Sequence, residues 1–335
     1  MSIPVQSGLS LWEPFRLEPW ISERPWGFRD LRPWFDLVAK GEPIGEVWLT
    51  GDQCVAATGS HAGETLAAIF RQAPEAMLGP HAPSPDSPLL LKVIFAKDKL
   101  SVQVHPDDRM AQKYGDPRGK TECWYALAAE PGAQLALGLK PGVTLERVKA
   151  GIEAGTLEEC LEVVDVADRD MIFVDAGTVH AIWPGSILLE TQQNCDLTYR
   201  MYDYGRGREL HIEKSLEATR LKTRAGKVAP RVLADRTVLI EEEYFCVERI
   251  AMAGSRLGTT LRGESEQARG LQYLFAAQGS ARITSPRADG PAFEAVELAA
   301  RSIVAIPAAS PEFAVENLGG LDLIRVTPRW PGGNQ

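Results

Sequence analysis

Short apolar runs alternate with turn-forming residues along most of the chain. EVWLTG, LLLKVIFA, LSVQVH, CWYALAA, MIFVDAG, SILLETQQ and LTYRMYDY are rich in β-branched and aromatic residues and stand between Gly- and Pro-containing segments, the pattern of strands separated by turns. With 30 glycines and 23 prolines spread through the sequence, the expected fold class is mainly β, arranged as sandwiches or barrels. Apolar positions at three- and four-residue spacing are concentrated in LERVKAGIEAGTLEECLEVV, with shorter echoes in ETLAAIFRQAPEAML and IEKSLEAT, which predicts a helical insertion over about residues 142–165. The basic, apolar-poor stretch TRLKTRAGKVAPRVL then interrupts the pattern before YFCVERIAM, LQYLFAAQGSARI, RSIVAIPAAS, EFAVEN and LDLIRVTP resume it. Two domains are therefore expected, residues 1–225 and a smaller β-sandwich over 226–335.

Composition narrows the function. At 44% hydrophobic the 335 residues can bury a sizeable core, and a formal charge of −9 argues against a nucleic-acid or membrane partner, either of which selects for a basic face. No apolar run approaches the roughly 18 residues of a membrane helix, and the opening segment lacks a signal pattern, so a soluble cytoplasmic protein is expected. The five cysteines are scattered and never form CxxC, which fits neither a disulfide framework nor a thiolate metal site. From residue 226 onward there is no histidine. Imidazole chemistry must therefore lie in the first two thirds of the chain.

Within that part, strand parity places Ser101, Gln103 and His105 on one face of LSVQVH. A wetted strand face gives the same alternation. GKTECWYAL, however, aligns Lys120, Glu122 and Trp124, and FVDAGTVHAI sets His180 just after a glycine turn. Imidazole, amide oxygen and carboxylate together suit a borderline ion such as zinc. In SILLETQQNCDLTYRMYDYGR the residues Glu190, Gln192, Asn194, Asp196, Thr198 and Arg200 share parity if the strand stays regular; a solvent-facing edge strand would show the same alternation. Lys92 is the one charge in LLLKVIFA, Arg206 and Arg208 follow the glycine of DYGRGR, and Trp26 stands in RPWG either as a pocket wall or as an ordinary core residue.

These blocks, in this order and with GEPIGEVWLTG near residue 45, resemble the type I-like bacterial mannose-6-phosphate isomerases of the cupin superfamily. The resemblance runs from about Trp26 to Leu216 and, more weakly, through the C-terminal segment. It implies two cupin (jelly-roll) barrels, the first carrying the helical insertion, and one zinc ion per chain held by Gln103, His105, Glu122 and His180. It implies interconversion of mannose 6-phosphate and fructose 6-phosphate through a cis-enediol, with a small sugar phosphate as partner. The family's Glu, Asp and Arg fall on Glu190, Asp196 and Arg200. Arg200 is then the guanidinium that stabilises the enediolate, and Lys120 with Asp196 the proton-transfer pair, on the argument that a nearby cation pushes a lysine toward its neutral form. Ser101, Lys92, Glu190 and Trp26 are the substrate-binding candidates. Two positions depart from the family pattern: Asp175 stands where proline is usual, and Gly119 where one branch has a histidine. A non-catalytic sugar-binding cupin and an isomerase of another phosphosugar remain alternatives; a cupin oxygenase is disfavoured because Gln103 stands where an iron site would have a histidine. Oligomeric state is left open.

Overall fold

The computed structural model describes residues 12–80, 82–251, 270–285 and 293–330. The chain is mainly β, with 41% of residues in strands and 13% in helices, and its sheets are antiparallel. It divides into two compact units, one made of Ile21–Trp48 and Leu89–Pro230, the other of Met1–Trp20, Leu49–Pro88 and Arg231–Gln335. The expected consecutive domains, 1–225 and 226–335, differ from this division. Phe15–Glu18 pairs with Ile303–Ile306, setting Phe15 opposite Ala305 and Leu17 opposite Ile303, and buries Phe15 and Leu17. So distant a pairing leaves no local trace in the sequence.

The first unit holds every candidate site residue and contains two sheets. The seven-stranded sheet runs in the order Gly226–Lys227, Met171–Val174, Glu122–Ala129, Ser186–Gln193, Leu89–Phe95, Ile44–Trp48, Trp20–Phe28. The five-stranded sheet runs Tyr199–Tyr202, Val102–Val104, His180–Ile182, Gln134–Leu139, Leu161–Asp165. Ile94, Trp124, Ala126, Ile172 and Leu188 of the larger sheet share one buried cluster with Leu135, Leu137 and Ile182 of the smaller, so the facing sides of the sheets make the core. Trp26 belongs to that cluster. It is a core residue.

The other face of the small sheet, with Val102, Val104, Ala181 and Met201, packs against helices. Helix Leu145–Ala154 starts where the Thr144 side chain accepts from Arg147 N–H and ends at Gly155 in the left-handed conformation. Its buried residues Val148, Gly151 and Ile152 fall at three- and four-residue spacing. The segment expected as a helical insertion ends differently: after a 3₁₀ turn at Leu157–Cys160, Leu161–Asp165 is a strand paired with Gln134–Leu139.

In the second unit the long strands Gln272–Thr284 and Ala314–Pro328 pair along much of their length and carry a core that includes Leu274, Ile283, Val304 and Leu323. Among the described residues no helix is long and apolar enough to cross a membrane.

The segments that carry the candidate ligands are stapled to one another by backbone hydrogen bonds. Lys120 N–H donates to Pro106 O at 3.0 Å and Gly177 N–H to His105 O at 2.8 Å. Gly119 is required by this closeness: a Cβ there would lie 2.5 Å from Pro106 O and 2.6 Å from Asp108 N. The histidine of the related branch has no room at this position. Gly119→Ala is expected to cost about 2 kcal/mol or more through overpacking against fixed backbone; a thermal melt indistinguishable from that of the parent would show that the loops give way instead.

Candidate metal centre

His105, Glu122 and His180 are all buried, and their candidate ligand atoms lie within 4.8 Å of one another. Each comes from a different segment. His180 lies in a strand opposite Gln103, His105 just follows the Gln103 strand, and Glu122 opens the strand that faces them from the other sheet. The register also sets Arg200 opposite Gln103. Paired residues on adjacent strands point to the same side, so His180, Gln103 and Arg200 form one cross-strand row.

Backbone carbonyls settle the tautomer of both imidazoles. His105 Nδ1 lies 2.9 Å from Leu197 O and His180 Nδ1 2.9 Å from Thr178 O. A carbonyl oxygen only accepts, so each Nδ1 carries the proton and each neutral ring turns a lone pair at Nε2 toward Glu122. Those nitrogens stand 3.7 Å (His105) and 3.4 Å (His180) from the carboxylate oxygens. Burial keeps both rings neutral, lowering His105 well below the usual imidazole range and His180 to about 4.

Neither Glu122 oxygen has a hydrogen-bond partner of acceptable geometry, although Lys120 Nζ lies 2.9 Å from one of them as an ion-pair neighbour. Burial, and secondly the charge of Glu190, push its carboxyl up to about 8. Two inward lone pairs beside a buried carboxyl group fit a divalent ion, which adds its charge to that of the Lys120 ammonium. Gln103 Nε2 lies 3.5 Å from His105 Nε2 and 3.2 Å from His180 Nε2, while its Oε1 accepts from Ser101 Oγ at 3.2 Å. Turning the amide over presents the oxygen to the same point and leaves its NH₂ facing Ser101, whose hydroxyl can accept as well as donate.

Around this point runs a buried ladder of alternating charge. On the seven-stranded sheet the register aligns Trp48, Lys92, Glu190 and Trp124 across four strands. Lys92 Nζ is 2.9 Å from Glu190, 3.8 Å from Glu46 and 3.9 Å from Asp196. Glu190 also accepts from Trp124 Nε1 at 3.0 Å, and Glu46 from Trp48 Nε1 at 2.7 Å and Arg24 Nη2 at 3.1 Å. Burial disfavours the charge on Glu190, but the Lys120 and Lys92 ammoniums outweigh it and hold the carboxyl down at about 2. Lys120 follows the same logic in reverse. Burial would lower it, yet the carboxylates of Glu122 and Glu190 outweigh burial and raise it.

The predicted parity of Glu190 to Arg200 breaks after Gln193. There Gln192 Nε2 donates to Cys195 O and Gln193 O, and residues 194–198 leave the sheet before Tyr199–Tyr202 rejoins it. Asp196 consequently sits on a loop with its side chain 54% exposed, within reach of Lys92 but off the row. Arg200 Nη1 donates to Glu209 O at 3.0 Å, while its Nε is buried without a partner. Arg206 and Arg208 are tied to Asp203, and Arg206 also to Asp98. Sequence reasoning did not single out Glu46 or Trp48. The two alternate in EVW, but only the strand register shows that they share a face with Lys92.

A family model described as phosphomannose isomerase type I, catalytic domain, matches residues 15–138. The mannose-6-phosphate isomerase ManA of Bacillus subtilis is 36% identical over 258 residues, 72% of this chain and 81% of that one. The mannose-6-phosphate isomerase of Streptococcus mutans is 34% identical over 257 residues, 72% and 80% of the respective chains. A crystal structure of mannose 6-phosphate isomerase from Bacillus subtilis superposes with a TM-score of 0.81 at 26% identity, covering 94% of this chain and 99% of that one.

Protonation gives the centre a measurable signature. Glu122, raised from 4.5 to about 8, binds its proton more tightly in the folded state, so between those pH values it weakens the metal-free fold as pH rises. His180, lowered from 6.5 to about 4, acts in the opposite sense but only up to pH 6.5. His105, also lowered, acts as His180 does; as both fade above pH 6.5, Glu122 becomes the largest of the three toward pH 8, with a slope of at most ~1.4 kcal/mol per pH unit. The Tm of chelator-treated protein is expected to fall by a few degrees across that window, and added divalent ion to remove the fall. A flat or rising Tm would contradict the raised carboxyl.

Proposed function

The chain belongs to the mannose-6-phosphate isomerase family, whose members are intramolecular oxidoreductases, and we propose that it interconverts mannose 6-phosphate and fructose 6-phosphate at one zinc ion held by Gln103, His105, Glu122 and His180. The observation that carries this reading is the unbonded Glu122 carboxylate buried between two imidazoles whose lone pairs face it. On this reading the two units are cupin-type barrels, and the histidine-free C-terminal strands hold no metal of their own.

When bound, zinc supplies Lewis acidity to the adjacent carbonyl and hydroxyl oxygens of the open-chain sugar. The protein's own groups do the rest. Asp196 takes the proton from C2 of the aldose and returns it to C1, while Lys120, held protonated, passes a proton between the two oxygens, so that the enediol forms and collapses without net gain or loss. Arg200 offers its unpartnered Nε to the developing oxyanion. Ser101, Lys92 and Glu190 hold substrate oxygens; Lys92, already matched by Glu190 at 2.9 Å, suits a sugar hydroxyl better than a phosphate. Trp26 contributes through the buried cluster that it shares with Trp124. A sugar-binding protein without catalysis would need none of Lys120, Asp196 and Arg200.

The test is coupled conversion of mannose 6-phosphate, before and after chelation and with zinc restored, on the parent and on Arg200→Ala. Chelation is expected to abolish turnover and zinc to restore it. Arg200→Ala should lower kcat on the order of a hundredfold, roughly 3 kcal/mol, with little change in KM or metal content, and Arg200→Lys should recover only part of the loss. Metal-independent turnover would refute the zinc assignment, and a dominant KM effect would move Arg200 to substrate binding.

A further inference from the structure

Arg200 lies in the last strand of the five-stranded sheet, where the outward backbone groups have no neighbouring strand. Such groups need partners. Here the chain turns back on itself. His211 N–H donates to Arg200 O at 2.8 Å, and Arg200 N–H donates to His211 Nδ1 at 3.2 Å. A side-chain imidazole thus takes the place that a carbonyl of an added strand would hold. Two residues earlier, Glu209 O accepts from the Arg200 guanidinium. The returning segment therefore holds both the backbone and the head group of one arginine, beside a register shift between Arg200 and Tyr202 that removes regular sheet support at that point.

Among the described residues the His211 imidazole makes no other hydrogen bond: its Nε2 lies 4.0 Å from the exposed Glu209 carboxylate, and its ring centroid stands 6.2 Å from that of Tyr199. It is the N-cap of helix Ile212–Ala218 by position, but its side chain makes no capping bond; its carbonyl accepts from Ser215 instead. Helix capping does not explain the imidazole. Among the described residues its one hydrogen bond is with the Arg200 amide.

We propose that His211 is a positioning residue for Arg200, fixing through Nδ1 the backbone from which the guanidinium reaches the reacting oxygens. This rests on the reading that Arg200 stabilises the enediolate. A displacement of about 1 Å in such a group costs on the order of a hundredfold in rate, so a backbone anchor one residue deep matters to turnover even though it touches no substrate.

A double-mutant cycle on the zinc-loaded enzyme tests it. His211→Ala is expected to lower kcat tenfold or more, with KM and zinc content little changed. His211→Asn, whose Oδ1 can accept the same amide proton, should retain most of the parent kcat, whereas His211→Leu, of similar shape without an acceptor, should not; this pair also serves if His211→Ala fails to fold. In the Arg200→Ala background, His211→Ala should cause no further loss, because the two act through one interaction. Losses that multiply in the double variant, Asn and Leu variants of equal activity, or a His211→Ala enzyme with the parent kcat would each overturn the proposal. An Arg200→Ala enzyme with the parent kcat would refute the underlying reading and this proposal with it, whereas a deficient Arg200→Ala beside a fully active His211→Ala would refute this proposal alone.

Discussion

A carboxylate sealed from water beside two neutral imidazoles is unfavourable unless positive charge joins it. Glu122 is in that position, and much of the catalytic unit is arranged around it. The carbonyls of Leu197 and Thr178 orient the rings that face it. Lys120 is anchored through its own amide to Pro106, so the ammonium beside Glu122 and the turn after His105 share one support. The loop that carries Asp196 also provides the Leu197 carbonyl, which links the orientation of one ligand to the placement of a proposed proton carrier. The tight backbone contact at Gly119 follows from the same closeness. Histidine cannot stand there without moving the ligand loops apart.

The ladder from Glu46 through Lys92 and Glu190 to Lys120 and Glu122 extends this logic into the sheet. Five ionisable groups are buried, and each stands within 4 Å of an opposite charge. Buried pairs of this kind add little net stability compared with an apolar core, since desolvation offsets most of the attraction, but removing one member leaves the other stranded. Their effect is to fix where donors and acceptors point.

The grouping of His105, Glu122 and His180 was legible in the sequence from the ordered blocks that carry them. Strand alternation set Gln103 and His105 on one face, and the glycine turn before His180 announced a hairpin. The residues beyond Gln193 were misplaced because the alternation rule assumes an unbroken strand. Gln192 ends it by turning its amide onto the backbone of Gln193 and Cys195, a competition between side chain and sheet ladder that period-two counting does not see. Glu46 and Trp48 went unassigned for another reason: their partners lie more than 40 residues away, and only register brings them beside Lys92. Likewise, the pairing of Phe15–Glu18 with Ile303–Ile306 joins the two ends of the described chain. Local pattern found the elements and their faces; the nonlocal pairings decided which faces meet.

The charge ladder also constrains how this lineage can change. Lys92 touches three carboxylates and Glu190 two ammonium-bearing neighbours by charge, so exchanging any one rung for a neutral residue strands a partner in a dry interior, at about 3–5 kcal/mol. That is a large part of the stability of an ordinary domain. Single substitutions at these positions are therefore closed to gradual drift, and descendants can depart from the pattern only by exchanging rungs together, as coordinated pairs across adjacent strands.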